Sequence, residues 1–378
     1  MVCAGRARRY IRLRPPIEPL SIPSLLALER IAPFTYMDPS SRTGPDQNAP
    51  EHNFAIGIDL GGTMIKAALV ERGRGFVTEV VKETEAEEGP AHVLDRIASI
   101  VRMVADEVPD RLISGVGIGA PGAINWERTS VIYPPNLPGW GIVDLRTALR
   151  ERLENQIPIF VENDANLAAL GSAHYGVGRP YSAFIMITLG TGVGGAIIYN
   201  NKIFRGTTGG AGEIGHMTID FEGPVDRYGI AGAIEAYLGQ RFLSRYARYK
   251  LLTRHDSSVH QKASADLVDL TPLMLYEAAL EGDEASLEIM AWAGHKLGVV
   301  LGSAINLLDI RKVIVGGGLS AAGDMIFSSA RKTVRDYVMP DLRDDVEIIR
   351  ETIGNEAGML GAAHLVFEYL DEHAASIG

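Results

Sequence analysis

Cysteine is almost absent: Cys3 is the only one in 378 residues. No disulfide can close within the chain, and no thiolate zinc site can be built from it. A reducing, cytoplasmic setting fits that usage. Long apolar runs are missing too. The most apolar stretch, "MAWAGHKLGVVLGSAINLLD" (290–309), carries His295 and Lys296 and reads as a buried core helix, not a membrane span. Basic charge is short: 36 Lys and Arg stand against 47 Asp and Glu, giving a net charge of −11 and a pI of about 5.4. That balance excludes a general binder of nucleic acid or anionic membranes, which needs a basic face. A small phosphorylated ligand stays open, because backbone amides can bind it. The Walker A pattern and the spaced G-x-G-x-x-G fingerprint are both lacking, which argues against a P-loop enzyme and a Rossmann dehydrogenase.

What is present is a chain that is 46% hydrophobic and 22% charged, the balance of a soluble globular protein, and long enough for two domains with real cores. The first 53 residues differ from the rest. "MVCAGRARRYIRLRPP" carries five arginines and no acid before Glu18, and a Pro-, Ser- and Asp-rich stretch follows. No apolar segment stands directly behind the basic one, so a secretory signal is not expected. Residues 1–53 read as a disordered or misassigned N-terminal extension, with Met37 as the alternative start.

From Phe54 onward the pattern is strand, glycine turn, strand: "FAIGIDL", "GGT", "MIKAALVERG". An amphipathic helix is predicted over 89–108, a strand over 112–122, a short strand over 157–163 and an alanine-rich helix over 164–176. The opening device then recurs as "FIMITLGTGVGGAIIYNNKIF" (184–204). Two similar hairpins, each starting an α/β half, predict a duplicated architecture with a cleft between the halves. "RKVIVGGGLSAAGD" (311–324) reads as a third strand feeding a glycine turn, and 355–370 as a final helix.

The three turns, "DLGGT" (59–63), "LGTGVGG" (189–195) and "VGGGLS" (315–320), can let backbone N–H groups converge on phosphate oxygens. One such turn would mean only a tight hairpin; three point to a nucleotide between two lobes. Asp59 can hold Mg²⁺ through water, or bond its own turn. Thr63 and Lys66 can support phosphate, although Lys66 on its alternating strand can equally face solvent. "VENDAN" (161–166) offers the candidate catalytic base: Asn163 suits a helix cap, and Asp164 beside it can accept the proton of an attacking hydroxyl. "YPPNLPGW" (133–140) presents Asn136 on a stiff loop, either as a hydroxyl reader or as a surface turn. Glu213, His216 and Glu235 lie in a glycine-rich stretch and read as metal ligands, sugar readers or ordinary surface charges.

In this order the motifs "IGIDLGGTMIKAAL", "GVGIGAPGAIN", "PPNLPGW", "VENDANLAALGSAHYG", "ITLGTGVGGAII", "GGAGEIGHM", "EAY", "VIVGGGLS" and "GNEAGMLGAA" resemble the ROK family of the actin-like ATPase superfamily over about residues 54–368. The resemblance implies an α/β fold of two ribonuclease-H-like lobes with an ATP and sugar cleft between them. The small lobe would span 54–163 plus 355–372, and the large lobe 164–354. It implies ATP and Mg²⁺ as cofactors, with Asp59 anchoring the metal through water. Gly61, Gly62, Gly190, Thr191, Gly192 and Gly194 would lie in the phosphate loops, and Gly316, Gly317 and Gly318 at the adenosine. Asn136, Asn163, Glu213, His216 and Glu235 would bind sugar hydroxyls, and Asp164 would be the base for the 6-hydroxyl of a hexose.

The expected activity is that of a glucokinase-type sugar kinase. A kinase for N-acetylmannosamine, N-acetylglucosamine or fructose is the neighbouring alternative, and a non-catalytic sugar sensor the distant one. A homodimer or homotetramer is a family expectation, while nucleic acid and membrane partners are not expected. One departure stands out. The family's C-G-C-x-x-x-G-C zinc loop is here "DRYGIAGA" (226–233), with Asp226, Tyr228 and Ala233 at the cysteine positions. No structural zinc is expected, and packing of Tyr228 and Ile230 is the expected substitute.

Overall fold

The structure, a computed structural model, describes residues 54–107, 113–154, 156–354 and 356–374. The segment 1–53, with Met37, lies outside these residues. The described chain builds the same sheet twice. β1 (Phe54–Leu60), β2 (Met64–Glu71) and β3 (Gly75–Glu83) form a meander, and α1 (Pro90–Asp106) returns the chain to β4 (Ile113–Ala120). Three short strands, β5 (Ala123–Ile124), β6 (Ser130–Ile132) and β7 (Ile142–Asp144), make a small sheet of their own before α2 (Leu145–Leu153) and β8 (Ile159–Asn163). α3 (Asp164–Tyr175) leads into β9 (Phe184–Leu189), β10 (Val193–Tyr199) and β11 (Lys202–Ile203). Then come α4 (Glu235–Leu238), α5 (Gln240–Leu251), α6 (Pro272–Leu280) and α7 (Glu284–Leu308). β12 (Lys312–Gly316), α8 (Asp324–Tyr337), β13 (Glu347–Arg350) and α9 (Glu356–Ala374) complete the chain.

The first sheet runs β3-β2-β1-β4-β8 and the second β11-β10-β9-β12-β13. In each, the first three strands are antiparallel neighbours and the last two join in parallel. The repeated hairpin seen in the sequence is thus a repeated topology. The third strand of the first sheet was not read from the sequence: its exposed row mixes Val77 and Val81 with Glu79 and Glu83, so it lacks a clean alternation of apolar and polar residues. α7, predicted as a core helix, is buried along most of its length, and among the described residues no helix is long and apolar enough to cross a membrane.

The packing follows from strand alternation. Ile56, Ile58 and Leu60 point to the face covered by α1 and α2, where they join Ile97, Val101 and Leu149. Ala55, Gly57 and Asp59 point to the other face, which α9 covers. A Cβ on Gly57 would lie 1.9 Å from the Met359 carbonyl oxygen, and one on Gly117 of β4 1.9 Å from that of Ala362. α9 also meets α3 at this separation: a Cβ on Gly361 would stand 1.8 Å from the Leu167 oxygen, and one on Gly171 2.0 Å from that of Ala357. Leu167, Leu170, Met359, Leu360 and Phe367 therefore share one core with Met186 and Ile198 of the second sheet. The far face of that sheet is filled by α5, α6, α7 and α8.

Because backbone cannot retreat from a new methyl group, Gly57→Ala and Gly117→Ala are each expected to lower stability by at least about 2 kcal/mol. Gly318→Ala is the control, since a Cβ there meets nothing within 4 Å. Urea midpoints check this, and equal midpoints for the three variants would contradict the packing.

Candidate active site

Asp59 ends the α9-facing row of β1 and stands across the hairpin from Lys66, its register partner. The two charged groups are 4.0 Å apart, so Lys66 faces the carboxylate instead of open solvent. Burial raises the Asp59 carboxyl above the usual range, and the Lys66 charge works against that rise. Thr84 pins the following turn, donating from its hydroxyl to Gly61 O (2.7 Å) and from its N–H to Thr63 O (2.8 Å). Gly62 lies against Asn136, where a Cβ would be 2.7 Å from the carbonyl oxygen.

Asp164 is the first residue of α3, and Asn163 caps that helix. Asn163 Oδ1 accepts from Ala165 N–H (2.9 Å) and Asn166 N–H (3.2 Å), while its amide donates to Gly122 O (3.2 Å). Only one Asn163 N–H is left for a ligand. The strand before it is anchored by Glu162, fully buried, whose carboxylate pairs with Arg128 (2.9 Å) and Arg205 (2.8 Å). Asp164 borders both a large cavity and a narrower neck, and its Oδ1 also accepts from Ala165 N–H (2.8 Å). Water reaches it through the mouth of the cleft, but the surrounding protein thins that water. Burial first, and then the charge of Asp59, push its carboxyl up to about 6.

Three cavities meet around these residues. The largest, about 700 Å³, is lined by Asn136, Asn163, Asp164, Glu213, His216 and Glu235 among others. A neck of about 190 Å³ holds Asp59, Asp164, Thr188, Gly316 and Gly317. A mainly apolar slot of about 410 Å³ lies beyond, between Gly190, Leu238, Thr271, Tyr276 and Gly318. Asp164 and Thr188 line both the large cavity and the neck, and Gly190 lines both the large cavity and the slot. Thr191, Gly192 and Gly194 border the large cavity, whereas Gly61, Gly62, Thr63 and Lys66 line none of the three. A Cβ on Gly190 or Gly318 would meet nothing, so these positions keep space free for a ligand. Gly192 is needed for packing, since a Cβ there would lie 2.3 Å from Glu235 Oε2.

His216 closes a single 3₁₀ turn, Ile214–His216. Its Nδ1 is 3.1 Å from Asp226 Oδ2, and its Nε2 is 3.9 Å from Glu213 Oε2. The Asp226 side chain has no solvent exposure and also accepts from Tyr228 N–H (2.8 Å) and Ile230 N–H (2.9 Å). Burial pulls its carboxyl up, but those N–H groups and His216 outweigh burial and hold it below the usual range. Glu235, buried at the start of α4, accepts from Val193 N–H (3.0 Å) and pairs with Arg227 Nε (3.4 Å). Tyr228 is more than half exposed, so it packs edge-on against the His216 ring and not into a core. The loop is held by Asp226, which bonds its own backbone.

Sequence reasoning missed Thr188, Arg227 and the N-terminal turn of α9, whose Ala357 and Gly358 line the neck. Thr188 had a signal: aligned on the two hairpins, it is the counterpart of Asp59. Asp59 sits opposite Gly119 in the first sheet as Thr188 sits opposite Gly316 in the second. Arg227 had none beyond its place in an altered loop.

Two copies of one α/β sheet with a cleft between them are the ribonuclease-H-like, actin-like ATPase fold. A ROK family profile matches residues 55–368. The glucokinase of Thermotoga maritima is 34% identical over 316 residues, covering 83% of this chain and 97% of that protein. The glucokinase of Streptomyces coelicolor is 35% identical over 328 residues, with 83% and 97% covered. The crystal structure of a ROK family glucokinase from Streptomyces griseus in complex with glucose and AMPPNP matches with a TM-score of 0.72 at 30% identity, covering 82% of this chain and 98% of that one. The chain belongs to the ROK family.

In ligand-free protein the Asp164 carboxyl is expected to be half-protonated near pH 6. Removing the Asp59 charge makes the ionised form less costly, so Asp59→Asn should move that midpoint to lower pH. Carboxyl ¹³C NMR checks both, and a midpoint unmoved in Asp59→Asn would contradict the coupling.

Proposed function

We propose that the chain transfers the terminal phosphoryl group of ATP to the 6-hydroxyl of a hexose, with glucose as the first candidate. The observation that carries this reading is the position of Asp164, between a cavity large enough for a sugar and furnished with several polar side chains, and the neck that holds Asp59. Asn136, Asn163, Glu213, His216 and Glu235 bind the sugar hydroxyls. A site built of such groups rejects ligands that would leave one of them unpaired. Asp164 accepts the proton of the 6-hydroxyl as that oxygen forms its bond to the γ-phosphorus. The bond from the γ-phosphorus to the bridging oxygen breaks, and its electron pair leaves with ADP.

A base with a pKa of about 6 is mostly ionised at pH 7, yet still basic enough to take a proton. Asp59 would hold Mg²⁺ through water, and the metal supplies neutralisation of phosphate charge. The donor set fits: a half-buried carboxylate at the neck, with a second one beside it. The apolar slot between Gly190 and Gly318 takes the adenosine, and the second glycine turn, Gly190–Gly194, which borders the large cavity, takes the phosphates.

The same polar cavity suits N-acetylmannosamine, N-acetylglucosamine or fructose, and a sugar sensor would keep the cleft without turnover. ADP release over a panel of these sugars separates them. Asp164→Asn is expected to lower kcat by about 10²–10⁴ with the preferred sugar. If the wild type binds glucose yet releases no ADP with any sugar, the kinase reading fails. If Asp164→Asn keeps full activity, the base is elsewhere.

Gly318→Val tests the donor slot. It should fold normally and raise KM for ATP about tenfold or more, leaving KM for the sugar unchanged. An unchanged KM for ATP would place the nucleotide elsewhere.

A further inference from the structure

In the family pattern that the sequence resembles, a C-G-C-x-x-x-G-C loop would supply three thiolates that, with a histidine, hold a structural zinc. The donors for that metal are not here. Position 228 is an exposed tyrosine and position 233 a buried alanine. Among the described residues no three His, Cys, Asp or Glu side chains cluster closely enough to hold a metal ion. One imidazole and one carboxylate do not complete a tetrahedral site.

The residues in that loop reach the side chains the metal would have steadied. Asp226 Oδ2 meets His216 Nδ1 at 3.1 Å, while Asp226 Oδ1 closes the turn on Tyr228 N–H and Ile230 N–H. Tyr228 stands edge-on to the imidazole, with ring centroids 4.9 Å apart and planes at 88°. Arg227, whose guanidinium lies 4.8 Å from the Tyr228 ring centre, reaches Glu235 with its Nε at 3.4 Å. Backbone bonds hold the base of the loop, with Asp226 N–H on Ile230 O (3.0 Å) and Gly232 N–H on Pro224 O (2.8 Å).

We propose that Asp226, Arg227 and Tyr228 form a metal-independent clamp that positions His216 and Glu235 for the substrate. The proposal rests on the reading above that His216 and Glu235 face a sugar. Asp226 takes the proton-bearing Nδ1 of the imidazole, which leaves Nε2 bare and directed to the cavity as a hydroxyl acceptor. Arg227 fixes one oxygen of Glu235 while Val193 N–H fixes the other. All three are positioning residues: they act through His216 and Glu235.

The test begins with the substrate-free protein, where ¹⁵N NMR reads the His216 tautomer without turnover. The wild type should show Nδ1 protonated and Nε2 bare. Asp226→Asn should lose that preference and raise the KM for the sugar about tenfold or more, with KM for ATP unchanged. Arg227→Gln replaces an exposed side chain that bonds no backbone, so it should fold even if Asp226→Asn does not. It should raise the KM for the sugar several-fold at an unchanged melting temperature.

The clamp is overturned if Asp226→Asn keeps both tautomer and sugar KM. Arg227→Gln with unaltered sugar KM also overturns it, as does wild type that carries stoichiometric zinc and loses sugar affinity on chelation. If no sugar releases ADP from the wild type, the proposed activity fails, and the tautomer measurement still decides the clamp.

Discussion

Helix α9 rests on glycine, and the cleft depends on that contact. Gly57 and Gly117 let its carbonyls approach the first sheet, while Gly171 and Gly361 let it close on α3. Helix interiors tolerate glycine poorly, at about 1 kcal/mol relative to alanine. Here the loss is offset by a backbone approach that no other residue allows. The consequence is positional. Asp59 is the next residue on the α9-facing row of β1 after Gly57, and Asp164 begins the helix that α9 grips. The two carboxylates are brought to one neck by backbone-to-backbone packing at glycines, with the buried Glu162 ion pairs anchoring the strand that leads to Asp164.

The electrostatics of the cleft follow from that placement. In a half-dry neck burial raises both carboxyls, and the charge of Asp59 adds to the cost of ionising Asp164, while the exposed mouth keeps water within reach of Asp164. Lys66 offsets part of the charge on Asp59 without reaching Asp164. Each acid thus has its own environment, one beside a cation and one beside an anion. Such a division suits an acid that holds a metal and an acid that takes a proton.

Much of this was legible in the sequence. The two hairpins were visible because strand alternation and glycine turns are local signals, and their repetition carried the duplicated architecture. Asn163 and Asp164 were legible as cap and cleft-facing carboxylate because both roles turn on adjacent residues at one strand–helix junction. The unread parts depend on distant contacts. Arg227 is set by a loop that returns to Glu235, whereas Thr188, the hairpin-repeat counterpart of Asp59, carried a signal that went unused. Tyr228 and Ile230 were expected to hold the altered loop by packing, but their N–H groups serve it more than their side chains: Asp226 accepts from both, and backbone bonds close the base of the loop. Nothing local in "DRYGIAGA" says that its first residue will face a histidine ten residues earlier.

The central claim is that Asp164 stands between the acceptor hydroxyl and the transferred phosphoryl group. A crystal structure of this chain with its preferred hexose and a non-hydrolysable ATP analogue tests it most directly. The account predicts the 6-hydroxyl oxygen about 2.6–3.2 Å from an Asp164 carboxylate oxygen, with the terminal phosphate in the neck beside Asp59. A sugar bound with that hydroxyl turned away from Asp164, or a nucleotide whose terminal phosphate lies outside the neck, would contradict it.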